Sequence, residues 1–139
     1  NPQLLLFLSP IMNKMNKPES QSIDFRPLIS DSGNKRKVLT MLVKESETNK
    51  EELVEAIRNK DRMRIKEIIH RMFPMWEMLG IAEELQEYRN LVHDDSSGDQ
   101  IMKEWTLKIT ASLDRLVSAA ENEIYSLIRQ ENEKENTDS

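Results

Sequence analysis

Apolar residues recur every three or four positions along most of this chain, and no stretch alternates convincingly between apolar and polar residues. The first spacing places apolar side chains on one face of an α-helix, whereas a half-buried strand needs alternation. With 3 Gly and 5 Pro in 139 residues, the chain also lacks the turn residues typical of a β-rich protein. The sequence therefore predicts an all-α fold.

Breaks in this pattern divide the chain into helices. Four helical segments are predicted, at residues 34–58, 62–79, 81–92 and 99–129. Asp61 is a suitable N-cap for the second segment, Gly80 is a suitable C-terminal stop, and residues 94–98 form a turn cluster. Because short links place neighbouring helices antiparallel, we predict an antiparallel four-helix bundle with an additional N-terminal helical segment.

Composition also sets the predicted domain boundaries. Residues 1–23 are expected to form an N-terminal segment and linker, and their apolar run, Leu4–Leu8, is far shorter than the roughly 20 apolar residues of a membrane-spanning helix. Residues 24–130 are expected to hold the bundle. Residues 131–139 contain no apolar side chain, which predicts a disordered tail.

Charge and composition exclude several classes of function. A net charge of −5 leaves no broad basic surface, so nucleic acid is not expected as a partner. With 0 Cys, the chain has no thiolate metal site and no cysteine nucleophile. It also lacks a Gly-rich nucleotide-binding run and a recognisable nucleophile–base–acid set. Independent kinase or hydrolase activity is therefore not expected.

His70 is the residue of the second predicted helix that is best suited to take part in a reaction. At about 100° per residue, the core stripe spans roughly 100°, and His70 lies roughly 150° from its middle. That stripe consists of Ile65, Ile68, Ile69, Met72, Trp76 and Leu79. The imidazole is therefore predicted to face solvent. Its neighbours at helical spacing are Met63, Lys66, Glu67, Phe73, Pro74 and Glu77.

Two of these neighbours are unusual on an outward helix face. Phe73 is an aromatic ring that the core could have buried, and Pro74 removes the intrahelical donor for the His70 carbonyl. Glu67 could join His70 on a metal ion, but two ligands are few, and no metal site is predicted. A neutral imidazole is a nucleophile in its own right, able to accept a phosphoryl group from an acyl phosphate. The alternative is that His70 is an ordinary surface histidine without a chemical role.

The run from His70 to Gly80 resembles the signature of histidine phosphotransfer domains of two-component signalling. The His, an apolar residue two positions later and the Leu79–Gly80 pair fall in register, as does the upstream helix end and turn at residues 56–61. The form His-Arg-Met-Phe-Pro-Met looks like a variant seen in hybrid sensor kinases of Bacteroidetes-type bacteria. The resemblance covers residues 24–130.

The resemblance implies a four-helix bundle in which His70 is the phospho-acceptor. Phe73 and Pro74 stand where the family usually has Lys and Gly, so Lys66 is the candidate for the missing positive charge; Arg71 comes second because it points about 100° away from His70. The docking face for a receiver domain would comprise Met63, Glu67, Phe73, Pro74 and Glu77.

The family also implies partners and a location. Response-regulator receiver domains would exchange the phosphoryl group with His70 and supply the Mg²⁺, so this domain would need no cofactor. The resemblance implies a monomer in the cytoplasm, without direct membrane contact, within a sensor kinase that other domains could anchor in the membrane.

Two other functions remain open from the sequence. A non-catalytic helical module could dock a receiver domain with His70 unphosphorylated, which the loss of the family's Lys favours. A helical output or dimerisation segment could instead associate through Leu4–Leu8. Trp76 and Trp105 are predicted to fill the core, and His93 is predicted to have no functional role.

Overall fold

The computed structural model describes residues 22–138, with side chains described up to Lys134. This part of the chain is helical throughout, without strands, which confirms the all-α prediction. Its five helices are α1 (Arg26–Ile29), α2 (Lys35–Arg58), α3 (Arg62–Met78), α4 (Glu83–His93) and α5 (Asp99–Asp138). The apolar run Leu4–Leu8 lies outside the described residues.

The helix boundaries follow local chemistry that the sequence displays. Asn34 accepts a hydrogen bond from the Lys37 amide at 3.0 Å and begins α2. Asp61 accepts one from the Arg64 amide at 3.1 Å and begins α3, as predicted. Gly80 follows α3 with a φ of 71°, a conformation that glycine adopts without steric cost. The predicted N-cap and stop of the second helix are both confirmed.

The last helix differs from its prediction. The spacing of apolar residues predicts an end near residue 129, and composition predicts a disordered tail at 131–139, whereas α5 continues to Asp138. Extending a formed helix needs no new nucleation, so polar residues propagate it readily. Arg36 of α2 also pairs with Glu131 at 3.0 Å, which attaches this end of α5 to the rest of the molecule. Residues 131–134 are exposed, as their lack of apolar side chains predicts.

Each of the four longer helices packs against the next one in the chain, and the last also packs against the first. α2 packs against α3, α3 against α4, and α4 against α5, while the most extensive contact joins α5 back to α2. The short α1 packs against α2, with Phe25 and Ile29 buried in the common core. Consequently α3 is flanked by α2 on one side and α4 on the other.

The predicted core stripe of α3 is confirmed, since all six of its side chains are buried. Trp76 lies in the core as predicted, and Trp105 is half-buried with the Lys108 ammonium 4.4 Å from its ring centroid. α4 is anchored to α5 by a buried hydrogen bond of 2.6 Å between the hydroxyls of Tyr88 and Thr106. Helix α3 is therefore held by apolar packing along one face, which leaves the opposite face free.

No helix within residues 22–138 combines the length and the apolar character needed to cross a membrane.

Candidate functional site

His70 lies on the solvent-facing side of α3 and is exposed, as the helical spacing predicts. The two turns before it and the two turns after it belong to one continuous helix, which its buried stripe attaches to the core. Among the described side chains, none forms a hydrogen bond or ion pair with the imidazole. A small molecule or a partner surface can therefore reach the ring nitrogens directly.

Pro74 lies inside α3, one turn after His70, and is exposed. Its nitrogen carries no hydrogen, so the carbonyl of His70 loses the donor that the fourth residue of a helix normally provides. A proline in a helix interior costs about 3 kcal/mol relative to alanine. Because the helix nevertheless continues through Pro74 to Met78, packing of the buried stripe has offset that cost.

The predicted docking residues share the exposed face of α3. The side chain of Met63 is 70% exposed, and Pro74, Glu67 and Glu77 are exposed. Phe73 is half-buried and packs against the core cluster, so only part of its ring is available to a partner. The face thus offers an apolar surface of moderate size around a single imidazole.

On the α2 side of His70, the charges are paired. Arg71 donates to the side-chain oxygen of buried Asn49 at 2.6 Å and also pairs with Glu52. Arg64 pairs with the same Glu52 at 3.2 Å and with Glu67 at 3.0 Å. Arg71, the second candidate for the phosphate-binding charge, is therefore turned towards α2 and bound there.

On the α4 side of His70, the arrangement is different. The guanidinium carbon of Arg89, from α4, lies 5.3 Å from the centroid of the Phe73 ring. A cation over the face of an aromatic ring at this distance is attracted by the ring quadrupole. Sequence reasoning missed Arg89, because nothing in the pattern of α4 marks it and only packing brings it over Phe73.

Lys66, the predicted phosphate-binding cation, lies one turn before His70 and is half-buried. Among the described side chains it has no ion-pair or hydrogen-bond partner, so its ammonium is not neutralised by them. On a helical wheel, Lys66 and Phe73 both fall on the α4 side of His70, about 40° and 60° away. The unpaired positive charge near the imidazole is thus concentrated on that side.

The described residues around His70 form no metal-binding cluster and do not line the groove between α2, α3 and α5. Among the described residues, no three His, Cys, Asp or Glu side chains come close enough to hold a metal ion. A groove of about 460 Å³ lies between α2, α3 and the start of α5, and its lining includes Ile65 and Leu107 but none of the residues around His70. His93 is exposed at the end of α4 and lines a shallow hollow with Gln86 and Arg89.

Comparison of the chain with protein-family models, with curated proteins and with solved structures gives no match. The function is therefore inferred from the residues of the site itself.

Proposed function

We propose that this chain is a histidine phosphotransfer domain, in which His70 receives a phosphoryl group from the aspartyl phosphate of a receiver domain and passes it to another. In this proposal α2 to α5 form an antiparallel four-helix bundle, with α1 as the additional helical segment packed on α2. The domain would act in the cytoplasm as part of a hybrid sensor kinase.

One observation carries the proposal: an imidazole without a partner among the described side chains stands on the exposed face of a well-packed helix. A histidine in a hydrolase needs a nucleophile and an orienting acid beside it, and a structural histidine is normally hydrogen-bonded. A phosphocarrier needs neither, because its partner supplies the remaining catalytic groups. An accessible ring on a fixed scaffold meets that requirement.

The chemistry follows from the imidazole. The lone pair of one ring nitrogen attacks phosphorus as the bond from phosphorus to the aspartyl oxygen breaks, and that oxygen leaves with the bonding electrons as a carboxylate. The proton on the second ring nitrogen then passes to water. Transfer of this kind depends mainly on position and on charge around the phosphoryl oxygens. The receiver's Mg²⁺ would supply part of that charge and Lys66 another part.

The apolar part of the face would bind the receiver. Met63 and Pro74 lie on either side of His70 along the helix, and both are exposed. Methionine adapts its shape to different partners, which suits a carrier that meets two receivers in turn. Glu67 pairs with Arg64 at 3.0 Å, so its negative charge is partly compensated before a phosphoryl group approaches.

The proposal is tested with potassium phosphoramidate, a small donor of phosphoryl groups to histidine, followed by intact mass spectrometry. We expect the gain of one acid-labile phosphoryl group in the wild-type chain and none in His70→Gln. The chain has 2 His, and the other is also exposed, so His93→Gln is a matched control that should be phosphorylated normally. A phosphorylated receiver domain then serves as the second donor.

The alternative function is a docking module in which His70 stays unphosphorylated. The observation that favours it is Phe73, which stands where the resembling family carries a lysine. If the wild-type chain gains no phosphoryl group from either donor, while circular dichroism shows intact helices, this alternative replaces the phosphocarrier.

A further inference from the structure

Phe73 lies three residues after His70, and the guanidinium group of Arg89 from the neighbouring helix α4 lies over its ring. We propose that Arg89 of α4 supplies positive charge to the phosphoryl group on His70, in place of the lysine that the resembling family has three residues after its histidine. This inference rests on the proposed phosphotransfer function and adds a phosphoryl-binding residue to it.

Distances within α3 support this placement. Residues three apart on a helix have their Cβ atoms about 5–6 Å apart on the same face. The side chain of Phe73 therefore starts from the helix surface next to that of His70, and the Arg89 guanidinium carbon is 5.3 Å from the centroid of the Phe73 ring. Phe73 is half-buried between α3 and the core, so the ring is a fixed platform for the guanidinium.

The pairing of the other arginines singles out Arg89. Arg64 and Arg71 both pair with Glu52, so a phosphoryl group would have to compete with a carboxylate for them. Arg89 has no carboxylate partner among the described side chains and rests on an uncharged ring instead. A ring holds a cation less strongly than a carboxylate or phosphate does, so the guanidinium is available to an anion beside it.

The chemistry of the ligand fits the chemistry of Arg89. A phosphoryl group on nitrogen carries close to two negative charges and three acceptor oxygens near neutral pH, as phosphate monoesters do. A guanidinium can donate two parallel hydrogen bonds to such oxygens, which an ammonium cannot do with the same geometry. Lys66 approaches from the turn before His70 and Arg89 from the turn after it, so the two cations flank the phosphoryl group.

The test measures the second-order rate constant for phosphorylation of the full chain by potassium phosphoramidate. Removing one exposed cation from a transferring phosphoryl group should lower this constant in Arg89→Ala by about 3-fold to 10-fold. Arg89→Lys should recover part of the loss, because it keeps the charge. Arg115→Ala is the control: Arg115 is an exposed arginine of α5 that bonds to Ser112 of its own helix, and the rate should not change.

Two further measurements separate a charge effect from a structural one. The rate for Arg89→Ala should depend less steeply on salt concentration than that of the wild type, because fewer charges attract the donor. Phe73→Lys places a lysine directly at i+3, and in that background Arg89→Ala should have a much smaller effect. Such non-additivity is expected if Phe73 and Arg89 act together on the phosphoryl group, because Phe73→Lys both adds a cation and removes the ring on which Arg89 rests.

The outcomes also separate this inference from the proposed function. If the wild-type chain is phosphorylated and Arg89→Ala reacts at the same rate with the same salt dependence, the role of Arg89 is wrong while the carrier function stands. An equal loss of rate in Arg115→Ala would also overturn the role of Arg89, since removing any arginine would then slow the reaction. If the wild-type chain is not phosphorylated at all, both proposals fail together.

Discussion

The two sides of α3 hold their charges in opposite ways. Towards α2, Arg64 and Arg71 share Glu52, and Arg71 also bonds to buried Asn49. Towards α4, the cation is Arg89, and its partner is the ring of Phe73. Paired charges fix one helix against another, whereas a cation over an aromatic ring has no carboxylate to neutralise its charge. Whether an arginine near the site is available to an anion therefore depends on what it already binds.

The two sides also differ in how the neighbouring helix is held. α4 is attached by buried side chains, among them Leu85 and Tyr88, both 0% exposed. The contact between α2 and α3 adds ion pairs whose members are between 29% and 47% exposed. The α4 side should therefore depend on apolar burial and the α2 side partly on ionic strength.

The largest effect is expected on the α4 side. Leu85→Ala should lower the free energy of unfolding by about 2–5 kcal/mol, because it leaves a cavity under the helix that carries Arg89. Urea denaturation followed by circular dichroism measures this change. Leu107→Ala is the control: Leu107 is 59% exposed, and its truncation should cost less than about 0.5 kcal/mol. A loss for Leu85→Ala no larger than that of the control would contradict the assignment of α4 to apolar anchoring.

The second-largest effect is expected in α3, the helix that lies between α2 and α4. Pro74→Ala should raise the free energy of unfolding by about 1–3 kcal/mol, because it restores an amide donor to the carbonyl of His70. Pro27 lies in the first turn of α1, where a missing amide breaks no helical bond, so Pro27→Ala should leave stability nearly unchanged. Thermal unfolding of both variants tests this, and equal shifts would show that the interior position of Pro74 has no cost.

The third effect is a pH dependence on the α4 side. Burial raises the pKa of Tyr88 to about 12, with the hydrogen bond to Thr106 acting in the opposite direction. In the unfolded chain the tyrosine loses its proton near pH 10, whereas in the folded chain it keeps the proton. The contribution of Tyr88 to stability is therefore complete below about pH 10 and is lost as the pH rises towards 12.

Tyr88→Phe tests this pH dependence. It should cost about 1 kcal/mol at neutral pH, since the Thr106 hydroxyl still bonds to the Met102 carbonyl at 2.7 Å, and it should flatten the alkaline loss. Tyr125, which is 66% exposed, provides the matched control: Tyr125→Phe should keep the steep alkaline dependence. An unchanged alkaline profile in Tyr88→Phe would contradict the expectation.

The smallest effect is expected on the α2 side. Glu52→Gln removes the carboxylate shared by Arg64 and Arg71, and it should cost about 0.5–1 kcal/mol because these groups are partly exposed. The same change removes one negative charge near His70, while Arg64 keeps Glu67 and Arg71 keeps Asn49, so phosphorylation by phosphoramidate should become slightly faster. Glu55→Gln, which breaks an exposed pair with Arg58 of the same helix, should change neither quantity. A slower reaction in Glu52→Gln would show that the paired arginines already act on the phosphoryl group.

Much of the fold was predictable from the sequence. The stripe of α3, the N-cap Asp61 and the stop at Gly80 are local features, and all three are confirmed. They are predictable because helix periodicity and capping depend on residues within a few positions of each other. The end of α5 did not follow from composition, since polar residues continue a helix that is already formed, here to Asp138.

For the candidate site too, the local features were predictable from the sequence and the contacts between helices were not. The exposure of His70, Met63, Glu67, Pro74 and Glu77 follows from helical spacing, whereas Phe73, predicted on the outward face, is half-buried against the core. The pairing of Arg71 with α2 and the position of Arg89 over Phe73 did not follow. Both depend on which helix lies beside α3, and no local pattern contains that information.

The sequence alone predicted an all-α fold and placed His70 on the exposed side of a helix whose opposite face is apolar, because periodicity, capping and composition act over short distances. Only the tertiary structure decided which charges near that histidine are paired and which are available. Partners from different helices meet through packing, and the pairing of a charged side chain depends on groups that are distant in the chain but adjacent in space.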